Sequence, residues 1–368
     1  MAPLPPSALL DLPLFPAARY AEIADRIGRL LATTADVLPI QAEAVLALEA
    51  IAASVARPGL KAVNVVTSPY GLGFGAWLRR GGVEVTDVVA DAGQPVTIDA
   101  VRQALAATPD ADLLALVHGE AANGALNPLE EIVGLAKARD LLVIVDAVAS
   151  VGAHPLPIDE LGLDIVALGP QKALAGPTGL SAVTVSARAW RHIAQTPQPA
   201  PSILSLADLK QNWLDKGRGA LPGTPPPLEF WALDAALARV EAEGFASLIA
   251  RHQQATAATR SAVRALGATL WITNDRSASA LVTSVTVPPA IDAEALIAAA
   301  AEFGVTLGRG FGSIEGHLVR LDHSGQRATL PTVLANVVGL GVALQRLGQT
   351  VNIGAAAEAV VRAYAASA

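Results

Sequence analysis

Between Leu60 and Ser186 the chain alternates short strand-like runs, several of them apolar almost throughout, with stretches whose apolar residues recur at helical spacing. The strand-like runs are KAVNVV, VEVTDVV, LLALVH, LLVIVDA, DIVALG and LSAVTVS, and helical spacing covers 73–80, 98–107 and 128–138 between them. Runs without a polar face suit strands buried on both sides. Their alternation with helices predicts an α/β fold built on a mostly parallel sheet sandwiched between helices. Ahead of this block the spacing predicts an amphipathic helix over about 17–32, with Ile23, Ile27, Leu30 and Leu31 on one face. A second helix is expected over about 41–55, closed by Pro58 and Gly59.

At the proline-rich loop 222–227 the alternation breaks. One long helical stretch is expected over 229–266, then strands in TLWIT, LVTSVTVP, VTL and HLVRLDH, with helices over 292–302 and 331–347. The first 15 or so residues are proline-rich and read as extended. This organisation predicts an N-terminal arm at 1–20, a large domain over 21–245 and a smaller C-terminal α/β domain over 246–368.

Composition narrows the class. With 52% hydrophobic and 16% charged residues in 368, the chain has the material for a sizeable core and is not of disordered type. The net charge of −7 is spread along the sequence without a basic stripe, so nucleic acid is not an expected partner. Cysteine is absent, which excludes disulfides, thiolate metal sites and cysteine nucleophiles. The six histidines show no metal-ligand spacing, so no metal is expected. No basic residue precedes an apolar core at the start, and the uncharged span 328–345 is interrupted by Pro331 and Asn336. A cytoplasmic protein without a membrane partner is the expectation.

Against that background a few polar residues stand out. Asp146 ends the run VIVDAV, where an unpartnered carboxylate is expensive, and Lys172 sits in GPQKALAGPTG just past the next strand-like run. A lysine amine can form an imine with an aldehyde on a pyridine ring, and a carboxylate can hold the ring nitrogen protonated as an electron sink. A loop lysine and a helix-capping or ion-paired aspartate are the structural alternatives. Tyr70, in SPYGLGFGAW, is placed to stack on a flat heterocycle. The glycines beside it, Gly71, Gly73 and Gly75, have GxGxG spacing and lack the third glycine of a dinucleotide turn. Arg320 and Arg309 are charges in apolar surroundings, suited to clamping a carboxylate, with Asp322 as a structural partner for Arg320 instead.

Taken in order, HGEAANGALNP, the VDAVAS strand end and GPQKALAGPTGL resemble the class V aminotransferases, pyridoxal phosphate enzymes of fold-type I. The resemblance implies an aminotransferase with Lys172 as the imine lysine, Asp146 as the pyridinium partner, Tyr70 as the stacking ring and Arg320, with Arg309, as the carboxylate clamp. It further places Glu43, Ala44, Ala121 and Gln171 against the ring compound. Thr224, in PGTPPP, matches a threonine that such enzymes donate to the neighbouring subunit, which implies a homodimer with small-molecule substrates.

Two positions depart from the family pattern. Ala121 stands where relatives place a serine or threonine against the ring hydroxyl. The helix that should open with phosphate-binding glycines and a hydroxyl instead opens Gln41-Ala42-Glu43-Ala44-Val45. At about 5 Å and an effective dielectric near 20, a carboxylate and a phosphate repel by roughly 5–6 kcal/mol. A glutamate that merely favours the positive end of a helix gains about 0.3–1 kcal/mol. The pyridoxamine–pyruvate transaminase branch of the family carries a glutamate at this helix start and is similar over EAVLALEA, SPYGLGFGAW and SILSLAD. The resemblance therefore implies amino transfer between unphosphorylated pyridoxamine, held as pyridoxal on Lys172, and a small 2-oxo acid such as pyruvate. A pyridoxal 5'-phosphate-dependent alanine or serine–glyoxylate (or pyruvate) aminotransferase is the alternative, and a non-catalytic vitamin B6 binding protein is the alternative of another class.

Overall fold

The computed structural model describes residues 12–196, 202 and 204–366, so the proline-rich start at 1–11 lies outside the described residues. Helices α1 (Arg19–Leu30) and α2 (Ala44–Val55) flank strand β1 (Asp36–Ile40). Then come β2 (Lys61–Val66), α3 (Pro69–Arg80), β3 (Glu84–Val89), α4 (Ile98–Ala107), β4 (Leu113–Val117), α5 (Leu129–Lys137) and β5 (Leu142–Asp146). The short α6 (Ile158–Leu161), β6 (Ile165–Leu168) and β7 (Ser181–Val185) complete the block, followed by α7 (Ala187–Ile193) and α8 (Leu206–Leu209).

These strands form one seven-stranded sheet in the order β1-β7-β6-β5-β4-β2-β3. Pairing is parallel from β3 through β6 and antiparallel for β6 with β7 and β7 with β1. Every residue of β4, β5, β6 and β7 is buried, as their lack of a polar face predicts. Each fully buried valine or isoleucine in such a strand contributes roughly 1.5–3 kcal/mol.

Strand β1 was not anticipated, because Pro39 has no N–H to give a ladder. It is an edge strand bonded only to β7, with Pro39 opposite Ala182, the one kind of position where a sheet tolerates proline. Gly71 and Gly75 lie inside α3 rather than in a nucleotide turn. A Cβ on Gly71 would stand 2.8 Å from the Val65 carbonyl oxygen, so glycine here lets α3 lie close on β2.

The C-terminal part carries α9 (Pro227–Glu243), α10 (Phe245–Leu266), β8 (Val282–Thr286), α11 (Ala293–Ala301), β9 (Gly308–Arg309), β10 (Leu318–Asp322), α12 (Leu330–Arg346) and α13 (Ile353–Ala365). Its three-stranded sheet has the order β8-β10-β9 and is antiparallel throughout. The single long helix expected over 229–266 is two helices, parted at Gly244, whose φ of 84° no helix interior adopts. VTL is not a strand; the pairing segment is Gly308–Arg309 just after it. TLWIT makes only an isolated bridge, Leu270 to Val285. One hydrophobic core runs from Phe15 to Leu248 around the large sheet and a second from Ala255 to Val360 around the small one, so the two meet along α10.

The parallel strands all end at one edge, which brings the segments that follow β2, β4, β5 and β6 together there. Ligands of open α/β sheets bind at this edge.

Candidate active site

Asp146 is the last residue of β5, paired in register with Val117 of β4 and Ala167 of β6. It is buried, and its Oδ1 accepts a 2.9 Å hydrogen bond from the Val148 N–H. Burial pushes its carboxyl up to about 6; the Val148 amide and the Lys172 amine pull it down, and Glu43 pushes it up. A protonated ring nitrogen opposite it would stabilise the charged form.

Lys172 follows β6 in a turn and makes no ion pair among the described residues. It lines two adjoining clefts. The first, spanning about 400 Å³ of space that is partly open to solvent, is also lined by Glu43, Ala44, Tyr70, Ala121 and Asp146. The second, about 1100 Å³, is lined by Ala121, Gln171, Lys172 and Arg320. The lining of the first, whose walls include the apolar Val117, Val148 and Ala149, suits a flat ring. Lys172 thus stands where a carbon at the ring's edge and a carboxylate-bearing substrate from the second cleft would meet.

Tyr70 projects from the first turn of α3, which Ser68 caps by accepting the Tyr70 N–H at 3.2 Å, with Pro69 completing the start signal. Its ring meets Phe311 edge-on at 5.8 Å. Burial raises its phenol pKa, Glu43 adds to the rise and Arg320 opposes it.

Glu43 carries two roles at once. It is the N-cap of α2, its Oε2 accepting from the Val45 N–H at 2.8 Å, and its Oε1 accepts from Gln171 Nε2 at 3.1 Å. The same carboxylate lines the first cleft. The start of α2 therefore already holds an anion belonging to the chain itself, at the place where a helix N-terminus would otherwise receive one from a ligand.

Arg320, on β10, is half-buried. Its Nη1 donates to the Ala121 carbonyl at 2.5 Å, while its Nε is buried without a partner. Burial lowers its pKa, against the pull of Tyr70 and Asp322. Asp322 pairs instead with Arg327, which leaves Arg320 without an ion-pair partner among the described residues.

Arg309 is a correction to the expected clamp. Its side chain is 65% exposed and forms a bidentate pair with Glu294 of α11, at 2.6 and 2.7 Å. The cause is register. Gly308 lies opposite Arg320 and Arg309 opposite Val319, and successive pairs project to opposite faces of a sheet.

Thr224 lines neither cleft. It is exposed on the loop before α9, whose Pro222 carbonyl accepts from Gln41 Nε2 at 2.8 Å. The chain by itself does not bring it to the ring cleft.

Glu120 went unread in the sequence, although it sits in HGEAANG three residues past the end of β4, at the same sheet edge as Asp146 at the end of β5. It is fully buried and lines the first cleft. The signal that could have found it is a lone carboxylate three residues after an all-apolar strand. The buried histidines are neutral: burial takes His118 down to about 3 and His154 to about 4. Among the described residues no group of three or more metal-ligating side chains occurs, and no helix is long and apolar enough to cross a membrane.

Comparisons with known proteins show the family. Residues 32–326 match the family model for class-V aminotransferases. A pyridoxamine–pyruvate transaminase of Mesorhizobium japonicum is 32% identical over 345 residues, 93% of this chain and 87% of that protein. An alanine–glyoxylate aminotransferase of Callithrix jacchus is 30% identical over 305 residues, 81% of this chain and 73% of that one. Among solved structures, pyridoxamine–pyruvate aminotransferase from Mesorhizobium loti superposes with a TM-score of 0.91 at 31% identity, covering 96% of this chain and 90% of that chain. With a cleft of this composition at the strand ends and a family match over most of its length, the chain belongs to the class-V aminotransferases.

Proposed function

We propose that this aminotransferase moves an amino group between unphosphorylated pyridoxamine and a small 2-oxo acid such as pyruvate. The observation that carries the reading is Glu43, whose carboxylate caps α2 and faces the ring cleft where a phosphate would otherwise sit. The likeness to a protein named pyridoxamine–pyruvate transaminase supports it.

When bound, the pyridine ring supplies an electron-withdrawing system and a reactive carbon at its edge. The chain's residues do the rest. Asp146 would hold the ring nitrogen protonated, Tyr70 would cover a ring face, and Glu43, steadied by Gln171, would accept from the free hydroxymethyl group. Ala44 and Ala121 wall the cleft closely. The Lys172 amine moves a proton between the substrate's α-carbon and the ring's exocyclic carbon. Arg320 grips the substrate carboxylate with guanidinium donors left over from its bond to Ala121. The homodimer that the resemblance implies is supported by Thr224, which is exposed on its loop and would there serve a neighbouring subunit's ring site.

The test is borohydride reduction of protein purified without added vitamer and then loaded with pyridoxal, followed by mass spectrometry of the Lys172 peptide. The expected product is a pyridoxyl group on Lys172. A phosphopyridoxyl group already present as purified would transfer the reading to the phosphate-dependent alanine–glyoxylate type, to which the chain is also similar.

The two arginines should separate cleanly. Arg320→Ala is expected to raise KM for the oxo acid about a hundredfold, the worth of a charge-assisted bidentate contact. Arg309→Ala should change it less than about twofold, since an exposed ion pair is worth little. Steady-state kinetics on both variants checks this, and a large KM effect at Arg309 would sink the assignment.

A further inference from the structure

The carboxyl of Glu120 is fixed by a chain of hydrogen bonds whose direction can be worked out. Asn127 Oδ1 accepts from the Val96 N–H at 3.0 Å, which makes its Nδ2 the donor to Thr67 Oγ1 at 3.0 Å and to the Val117 carbonyl at 2.8 Å. Thr67, already accepting, gives its own hydrogen to Glu120 Oε1 at 2.5 Å. Oε1 is therefore an acceptor. Any proton the carboxyl carries sits on Oε2, which is buried without a hydrogen-bond partner. Glu120 is 0% exposed and lines the same cleft as Tyr70 and Asp146.

Burial favours the neutral acid, while the groups around it act in both directions. From β5, Asp146 raises its pKa; from the corner after β2, the Thr67 and Ser68 hydroxyls lower it; and the phenol on α3, Tyr70, is itself raised by Glu120. Lys172 and Glu43 lie along the same cleft, and no cation pairs with Glu120 among the described residues. Burial dominates and pushes the carboxyl up to about 7.

We propose that Glu120 is a ring-binding residue that works as a neutral acid, its Oε2–H donating to an acceptor oxygen on the hydroxypyridine ring in the cleft. This rests on the reading that the cleft holds such a ring. A ligand oxygen there completes a donor that the protein leaves unmatched, and leaving such a buried group unmatched is costly. Nothing covalent is involved. Loss of the proton would set a carboxylate against that oxygen, so affinity for the ring should fall as pH rises through the range where Glu120 ionises.

The experiment is fluorescence titration with pyridoxine, which has neither aldehyde nor amine and so reports binding without Lys172 chemistry, from pH 6 to 8.5. Glu120→Gln keeps the shape and offers an N–H at the Oε2 position while its carbonyl accepts from Thr67. It should bind like wild type at pH 6, and about tenfold or more tighter than wild type at pH 8.5. Glu120→Leu should lose about tenfold to a hundredfold at pH 6. The ligand's own ionisations are common to wild type and Glu120→Gln, so the difference between their profiles reports Glu120, together with the part of the Asp146 titration that the Glu120 charge itself shifts.

Identical pH profiles for wild type and Glu120→Gln, or undiminished binding by a folded Glu120→Leu, would overturn the proposal. Parallel titrations with pyridoxine 5'-phosphate keep the two readings apart. The Glu120 pattern seen only with the phosphate ester would support this inference while removing the unphosphorylated vitamer.

Discussion

Lys172→Ala is expected to slow amino-group transfer roughly a hundredfold to ten-thousandfold, the usual worth of a positioned acid–base group. The lysine stands where the ring cleft and the Arg320 cleft adjoin, so no other amine among the cleft-lining residues can take over. Its loss should barely touch the fold. The side chain makes no ion pair among the described residues and is only partly buried, so thermal stability should shift by about 0.5 kcal/mol or less. Lys172→Arg keeps the charge and the reach but cannot release a proton, and should fail nearly as badly. That comparison separates proton transfer from simple electrostatics. Single-turnover kinetics with pyridoxamine and pyruvate, beside a melting curve, makes the measurement. A Lys172→Ala protein retaining more than about a tenth of wild-type turnover would end the assignment.

Glu43→Ser should change which ring compound binds. Serine is as good an N-cap as the carboxylate it replaces, so the Val45 N–H keeps an acceptor and α2 keeps its start. What disappears is the negative charge facing the ring cleft. With up to roughly 5–6 kcal/mol of repulsion removed, affinity for pyridoxal 5'-phosphate should rise by at least about a hundredfold, the remainder being lost to imperfect phosphate contacts. Unphosphorylated pyridoxal should bind more weakly, because its hydroxymethyl group loses an acceptor. Equilibrium binding of both vitamers to both proteins decides the matter. An unchanged preference would mean that Glu43 serves only the helix. Gln171 should also lose order in the variant, since its Nε2 gives its hydrogen to Glu43 and its Oε1 is already unpartnered.

Much of this architecture was legible before any coordinates. Short apolar runs without a polar face, set between longer helical stretches, suit strands covered on both sides, and parallel strands deliver their C-terminal ends to one edge. The meeting of Asp146 with Lys172 was therefore readable from the alternation alone, as was the approach of Tyr70 after β2. Elsewhere local pattern misled. Pro39 disguised β1, because a strand's tolerance of proline depends on whether it lies at an edge. A glycine within a helical pattern costs only about 1 kcal/mol, so nothing near Gly244 showed that α9 and α10 part there.

At the cleft the division is similar. Glu43 had two competing readings, helix cap or cleft wall, and only the folded chain showed that one carboxylate does both. Arg309 carried the right charge in an apolar setting, but its direction follows from its opposition to Val319 in a two-residue strand. Glu120 lies at the same sheet edge as Asp146, yet its protonation and its free oxygen depend on Thr67, Asn127 and Val96, brought from other strands and loops. The sequence by itself determined the fold class, the chemistry available and the edge of the sheet where that chemistry gathers, because periodicity and side-chain type are local properties. Tertiary structure alone decided which arginine faces the cleft, which carboxyl is left with an unmatched oxygen and where the helices break. Those outcomes turn on strand register and on contacts between residues far apart in the chain, which no local pattern encodes.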